Sequence, residues 1–291
     1  MNEVLRFLII DGYPEPSRKQ FESIGMTLAG ELYAKLLLQH LPGAKCDIIY
    51  SSDSGNELPD EKCLEKYDGI LWPGCNLTVY HDNDEQVTKM VDLVRRGYEV
   101  GVPQFGSCWA AQIAVYAIGG KVEVNPKGRE MGVARKIHLT EEGKNHPMYE
   151  GKPPVFDGFI SHDDEITELP PGAKLLASNE FTNVQAVAVE HKNGIFWATQ
   201  YHPEYDLHEI ARLIEARKEK LMKQGFFKSH DDVKKYVNQF DTIFADPSRK
   251  DLRWQHAIDD DLLEDSIRQK EFENWLNKVV IPKSAKIGKI C

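Results

Sequence analysis

The 291-residue chain carries 36 Lys and Arg against 46 Asp and Glu, a formal charge of −10. That length supports a full hydrophobic core without metal or disulfide staples, and the acidic balance argues against nucleic acid as a partner. Five cysteines, an odd number with no CxxC pair, exclude a disulfide framework and a zinc ribbon and fit a reducing cytoplasm.

Residues 1–6 carry Glu3 where a signal peptide would be basic, and the apolar run 7–10 stops at Asp11. No stretch approaches the ~20 apolar residues of a membrane span, so a cytoplasmic protein without a membrane partner is expected. Residues 5–10 are almost wholly aliphatic and predict a strand buried on both faces. Phe21, Ile24, Leu28, Leu32, Leu36 and Leu37 form a helical stripe over 21–41, closed by Pro42 and Gly43. Residues 47–50, 69–72 and 100–105 predict further strands, with a helix over 84–96 before the last. This alternation predicts an α/β fold with an open, mostly parallel, doubly wound sheet.

The pattern changes over 121–201, where segments 134–139, 155–161, 185–191 and 195–201 follow one another across short turns. Such spacing predicts an antiparallel or mixed portion of the same sheet. A long amphipathic helix is expected over 207–224, with Gly225 as its stop. Residues 226–291 then read as a charged helical extension whose apolar face holds Trp254, Leu262, Leu263, Phe272, Trp275, Leu276 and Val279. The expected organisation is a catalytic domain over 1–225 and a C-terminal helical extension over 226–291, too short for a second catalytic domain.

Two segments carry chemistry. Gly106-Ser107-Cys108-Trp109-Ala110-Ala111-Gln112 stands directly after the 100–105 strand and directly before a helical run. Small residues two before and two after Cys108, on a strand-to-helix turn, are the layout of a nucleophile elbow. The sulfur then sits at the positive end of a helix, where a thiolate is favoured, and the Trp109 N–H can meet an oxyanion. Gln200-Tyr201-His202-Pro203-Glu204-Tyr205 ends the 195–201 strand and supplies a base, His202, with an orienting acid, Glu204. Both segments fall at strand carboxyl ends, which a parallel sheet brings to one edge.

Gly106-Ser107-Cys108-Trp109-Ala110-Ala111-Gln112 followed by His202-Pro203-Glu204, 94 residues beyond the cysteine, resembles the class I, triad-type glutamine amidotransferases. The likeness runs over residues 5–215 and is greatest to the amidotransferase domain of GMP synthase and its stand-alone relatives. Residues 73–80, with Pro73, Gly74 and Cys75, stand where that family has its Gly-rich oxyanion loop. Ser161-His162-Asp163-Asp164-Glu165-Ile166 looks like its Ser-His-x-Asp-x-Val segment beside the glutamine pocket. The resemblance implies hydrolysis of the γ-amide of glutamine, or of a γ-glutamyl amide, through a γ-glutamyl thioester on Cys108. His202 would be the base and Glu204 its partner, with the N–H groups of Gly74 and Trp109 as the oxyanion hole. Gln112, Cys75, His162 and Asp163 would border the substrate, with no cofactor and no metal. Ala110 replaces the family's second elbow glycine, and Pro73 stands where a glycine is frequent.

Cys46, Cys63 and Cys291 read instead as small buried hydrophobes, and Asp163, Asp164 and Glu165 as an acidic turn. No GxxxxGK[ST] or strand-anchored GxGxxG occurs, so released ammonia would go to a separate synthetase subunit or to solvent. The sequence leaves open a stand-alone γ-glutamyl conjugate hydrolase, a cysteine peptidase on the same triad, and a non-catalytic binding module. It also leaves open whether the chain pairs with a second copy of itself.

Overall fold

The computed structural model describes residues 4–287, so Cys291 and the reading of residues 1–3 lie outside it. Eleven strands form among the described residues: β1 (Arg6–Asp11), β2 (Lys45–Tyr50), β3 (Gly69–Trp72), β4 (Gln104–Ser107), β5 (Lys121–Val124), β6 (Glu130–Leu139), β7 (Val155–His162), β8 (Asp164–Glu168), β9 (Ala173–Ser178), β10 (Ala186–His191) and β11 (Gly194–Thr199). Nine make one sheet in the order β2-β1-β3-β4-β11-β10-β9-β6-β7. The half from β2 to β11 is parallel. The half from β11 to β7 is antiparallel, as the closely spaced segments after residue 121 predict. Strands β5 and β8 depart from that expectation and pair as a separate ribbon. Their alternation buries little beyond Val122 and Ile166, so one apolar face is all they have to cover.

Four expected elements shift their bounds. The stripe over 21–41 is two helices, Glu15–Ser23 and Ala29–His40. Gly25 takes φ 75°, a left-handed stop, and Thr27 is held by Glu209 through its N–H (3.1 Å) and hydroxyl (2.6 Å). The helix Glu85–Val100 starts at its Asp84 cap and runs past residue 96 to a left-handed Gly101, so the next strand begins at Gln104 rather than at 100. A side chain at Gly101 would lie 2.7 Å from the Asn193 carbonyl, and no residue but glycine fits that stop. The helix expected over 207–224 is broken into Leu207–Ala216 and Lys218–Lys223, with Arg217 at the break.

Each face of the sheet has its own core. On one, Leu8, Ile10, Ile70 and Trp72 meet the helices Glu85–Val100, Trp109–Tyr116 and Leu207–Ala216. On the other, Phe7, Leu71 and Phe105 pack with Tyr33 and Leu37 and with Phe272, Trp275 and Leu276 of the C-terminal helices. Trp275 lies so close to the sheet that a methyl at Gly69 would sit 2.7 Å from its ring. Trp254 departs from the expected apolar face, being 84% exposed, and Cys63 is exposed rather than buried. A buried ion pair, Lys152–Glu271 at 2.6 Å, adds a polar tie, and Glu271 also accepts from the Tyr201 hydroxyl beside His202. Trp275→Ala is therefore expected to cost about 3–5 kcal/mol in urea unfolding, since its ring is wholly buried against Phe7, Phe105 and Phe272. No helix among the described residues is long and apolar enough to cross a membrane.

Candidate active site

Strands β4 and β11 are parallel neighbours, with Ser107 opposite Thr199, so the residues that follow them emerge side by side. Cys108 follows β4 directly, its N–H bonded to the Thr199 carbonyl at 2.7 Å. Its backbone stands at φ 58°, ψ −107°, strained for any residue with a side chain, at a cost of about 1–3 kcal/mol. The helix Trp109–Tyr116 begins immediately after, which gives the elbow its strand-turn-helix form. Gly106 is indispensable to that turn, because a Cβ there would lie 2.3 Å from the Trp72 carbonyl and 2.4 Å from the Ala110 methyl. The Ala110 methyl thus lies over the hydrogen face of Gly106, which is how the turn accommodates an alanine.

His202 follows β11, and its N–H bonds the Phe159 carbonyl at 2.7 Å. Its Nδ1 donates to Glu204 Oε1 at 2.6 Å, both side chains being almost wholly buried. Burial alone would push the imidazole down, but the Glu204 carboxylate and the Cys108 sulfur outweigh it and hold His202 up at about 9. The Tyr205 ring stacks flat on the imidazole with centroids 4.0 Å apart. Glu204 is held in turn by the Ser107 hydroxyl at 2.7 Å, which accepts from the buried Tyr33 hydroxyl at 2.8 Å. Nothing within the motif marks Ser107 for this contact, and nothing local marks Tyr33 as its partner. Only the fold brings the two together.

Gly74 passes close to both groups: a Cβ there would lie 3.0 Å from His202 Cε1 and 3.2 Å from Cys108 Cβ. A cavity of about 340 Å³ opens beside them, lined by Cys75, Cys108, Trp109, Gln112, His162 and Asp163 among others. The Cys108 thiol contacts the Ser161 carbonyl at 3.6 Å. Gln112 donates to the Asp164 carbonyl at 3.1 Å, which fixes its amide at the cavity wall. His162 has both ring nitrogens engaged, Nδ1 donating to the Asp164 carbonyl at 2.8 Å and Nε2 meeting Glu130 at 3.1 Å, so it braces the wall. Burial raises the Cys75 thiol well above its usual range and keeps it protonated. Asp163 pairs with Arg129 and Lys220. Arg129, Arg217 and Tyr13 also line the cavity and carried no signal in the sequence. Arg217 lies inside what reads as an unbroken helix.

Known proteins resemble this chain in sequence and in fold. The chain is 32% identical to a γ-glutamyl-L-1-hydroxyisopropylamide hydrolase of a Pseudomonas species, over 96% of this chain and 95% of that one. It is 30% identical to a glutamine-hydrolysing GMP synthase of Thermomicrobium roseum over 65% of this chain, which spans only 33% of the synthase. A glutamine amidotransferase of Thermotoga maritima has the same fold, with a TM-score of 0.66 over 96% of this chain and 100% of that one at 17% identity. The family model for class-I glutamine amidotransferases matches residues 30–218, the span that holds the elbow and the histidine strand. With that match and a relative alike over nearly its full length, the chain belongs to the class-I glutamine amidotransferase family.

Proposed function

We propose that the protein hydrolyses the amide bond of γ-glutamyl amides, through a thioester on Cys108 with His202 as base and acid and Glu204 as its anchor. The observation that carries this reading is the pairing, at one sheet edge, of a strained cysteine at a helix start with a carboxylate-anchored histidine. With His202 held at about 9, its ring takes up the Cys108 thiol proton as the sulfur attacks and keeps it at neutral pH. The thiolate adds to the γ-carbonyl carbon, and the oxyanion is met by the N–H groups of Gly74 and Trp109. The C–N bond breaks as the amine takes the His202 proton. His202 then removes a proton from water, which adds to the thioester and releases glutamate and the thiolate.

The full-length likeness to the Pseudomonas hydrolase supports release of a small amine or ammonia to solvent. The likeness to the GMP synthase supports a second reading, in which ammonia passes to a synthetase partner. The four described cysteines are all free, in keeping with a cytoplasmic location. The test is glutamate release from γ-glutamyl-isopropylamide and from glutamine, with mass spectrometry of Cys108. Rapid release from the isolated chain supports the free hydrolase. A γ-glutamyl adduct with slow turnover of glutamine supports the partnered reading, and neither release nor adduct overturns both.

A further inference from the structure

Strand β4 ends in a polar side chain on an apolar face. Side chains alternate along a strand, so Ser107 shares its face with Phe105, which lies in the core that also holds Tyr33 and Phe272. Ser107 and Tyr33 are both wholly buried there, and a buried hydroxyl is unfavourable unless it is bonded. Tyr33 Oη meets Ser107 Oγ at 2.8 Å, and Ser107 Oγ meets Glu204 Oε1 at 2.7 Å. The direction of both bonds is forced. An ionised carboxylate only accepts, so Ser107 gives its single proton to Glu204 and accepts from Tyr33. Burial and the Glu204 charge raise the Tyr33 phenol well above its usual range, so it always has a proton to give.

This chain ends on one carboxylate oxygen. Oε1 of Glu204 accepts from Ser107 and, at 2.6 Å, from His202 Nδ1. Among the described residues the buried Oε2 has no hydrogen-bond partner. The terminal torsion of a glutamate is soft, and turning it would carry Oε1 out of line with the imidazole. His202 does not prevent this alone, because either oxygen serves it as an acceptor. Ser107 does distinguish the two, being fixed in β4 opposite Thr199 with its proton held toward Glu204 by the bond from Tyr33. Its oxygen also lies 3.4 Å from His202 Nδ1, so hydroxyl, carboxylate oxygen and ring nitrogen form one buried triangle.

Building on the γ-glutamyl hydrolase reading above, we infer that Ser107 and Tyr33 are positioning residues of the reaction, a buried hydrogen-bonded chain that pins Glu204 Oε1 and thereby aims His202 at Cys108. The elbow then supplies two adjacent side chains to the chemistry, the sulfur that attacks and the hydroxyl that holds the anchor of its base. The helix Ala29–His40, outside both motifs, joins the site through Tyr33.

The test is a double-mutant cycle of Ser107→Ala, Tyr33→Phe and the two combined. It is read by kinetics on γ-glutamyl-isopropylamide and by proton NMR of the His202 Nδ1–H, whose short bond to a carboxylate places its signal far downfield. Ser107→Ala is expected to lower kcat by about 10- to 100-fold, the worth of a bond to a charged group, with KM within about twofold and the signal moved upfield or broadened. Tyr33→Phe removes one oxygen and keeps the ring, and is expected to lower kcat by about 3- to 10-fold with a smaller shift of the signal. The combined variant should be no slower than Ser107→Ala, because Tyr33 acts only through Ser107. Losses that multiply in the combined variant, or a signal and kcat unmoved in Ser107→Ala, would overturn the pin and leave the hydrolase reading intact. If Ser107→Ala does not fold, Tyr33→Phe decides by the same signal and kcat. The signal needs no substrate, so a natural chain inactive on γ-glutamyl-isopropylamide and glutamine would overturn the hydrolase reading while the spectrum still tests the pin.

Discussion

Cys108→Ala is expected to lower kcat for γ-glutamyl amide hydrolysis by about 10⁴-fold or more, with the fold intact. The Cys108 sulfur lines the cavity and lies next to the carboxylate-anchored His202. Cys75 lines the same cavity, but burial keeps its thiol protonated, and Ser107 is committed to Glu204. The backbone makes a second comparison informative. At φ 58° and ψ −107°, alanine keeps the strain that cysteine bears, whereas glycine relieves it. Cys108→Gly should therefore be more stable than Cys108→Ala by about 1 kcal/mol in urea unfolding, the reverse of the usual order for these residues. Both variants should be inactive. A less stable glycine variant would show that the elbow holds no strain.

Glu204→Gln is expected to cost about 10²- to 10⁴-fold in kcat and to move the alkaline limb of the pH profile downward. In the natural protein, desolvation opposes the imidazolium, and Glu204 together with the Cys108 sulfur overcomes it to hold His202 at about 9. Activity should therefore persist through neutral pH and fall above about 9, where the proton destined for the leaving amine is lost. With a neutral amide at 204 the desolvation is opposed by the sulfur alone, and the fall begins at lower pH. Stability follows the same sign. His202 has a raised pKa in the folded state, so its contribution is full below its ordinary value of 6.5 and is lost as pH rises through about 9. Rate profiles and urea midpoints from pH 6 to 10 for both proteins would check the two consequences. An alkaline limb that stays in place in Glu204→Gln would remove the carboxylate from control of His202.

Much of this site is written in short segments of chain. Gly106 through Gln112 and Gln200 through Tyr205 each carry their geometry locally, because a turn between strand and helix constrains which residues fit within a few positions of the nucleophile. The aliphatic run that became β1 and the strand ending at Trp72 were legible for a like reason, since strands buried on both faces have no room for polar side chains. The helix ends were less legible. Gly25, Gly101 and Arg217 interrupt patterns whose apolar spacing runs through them, and what stops each helix is a contact from elsewhere or a single left-handed residue.

The sequence by itself determined the α/β class, the elbow, the histidine–carboxylate pair and the charge of the chain, all properties of residues close together along the backbone. Tertiary structure alone decided what surrounds them. Tyr33 reaches Glu204 through Ser107, separated from it by 74 residues, and Arg129 and Arg217 meet on Ser161 from two distant segments. Phe272 and Trp275 of the C-terminal helices likewise meet Phe105 on one face of the sheet. Side chains so far apart in sequence leave no periodic trace of their pairing, because their meeting depends on strand order and helix breaks, and those are settled only when the whole core packs.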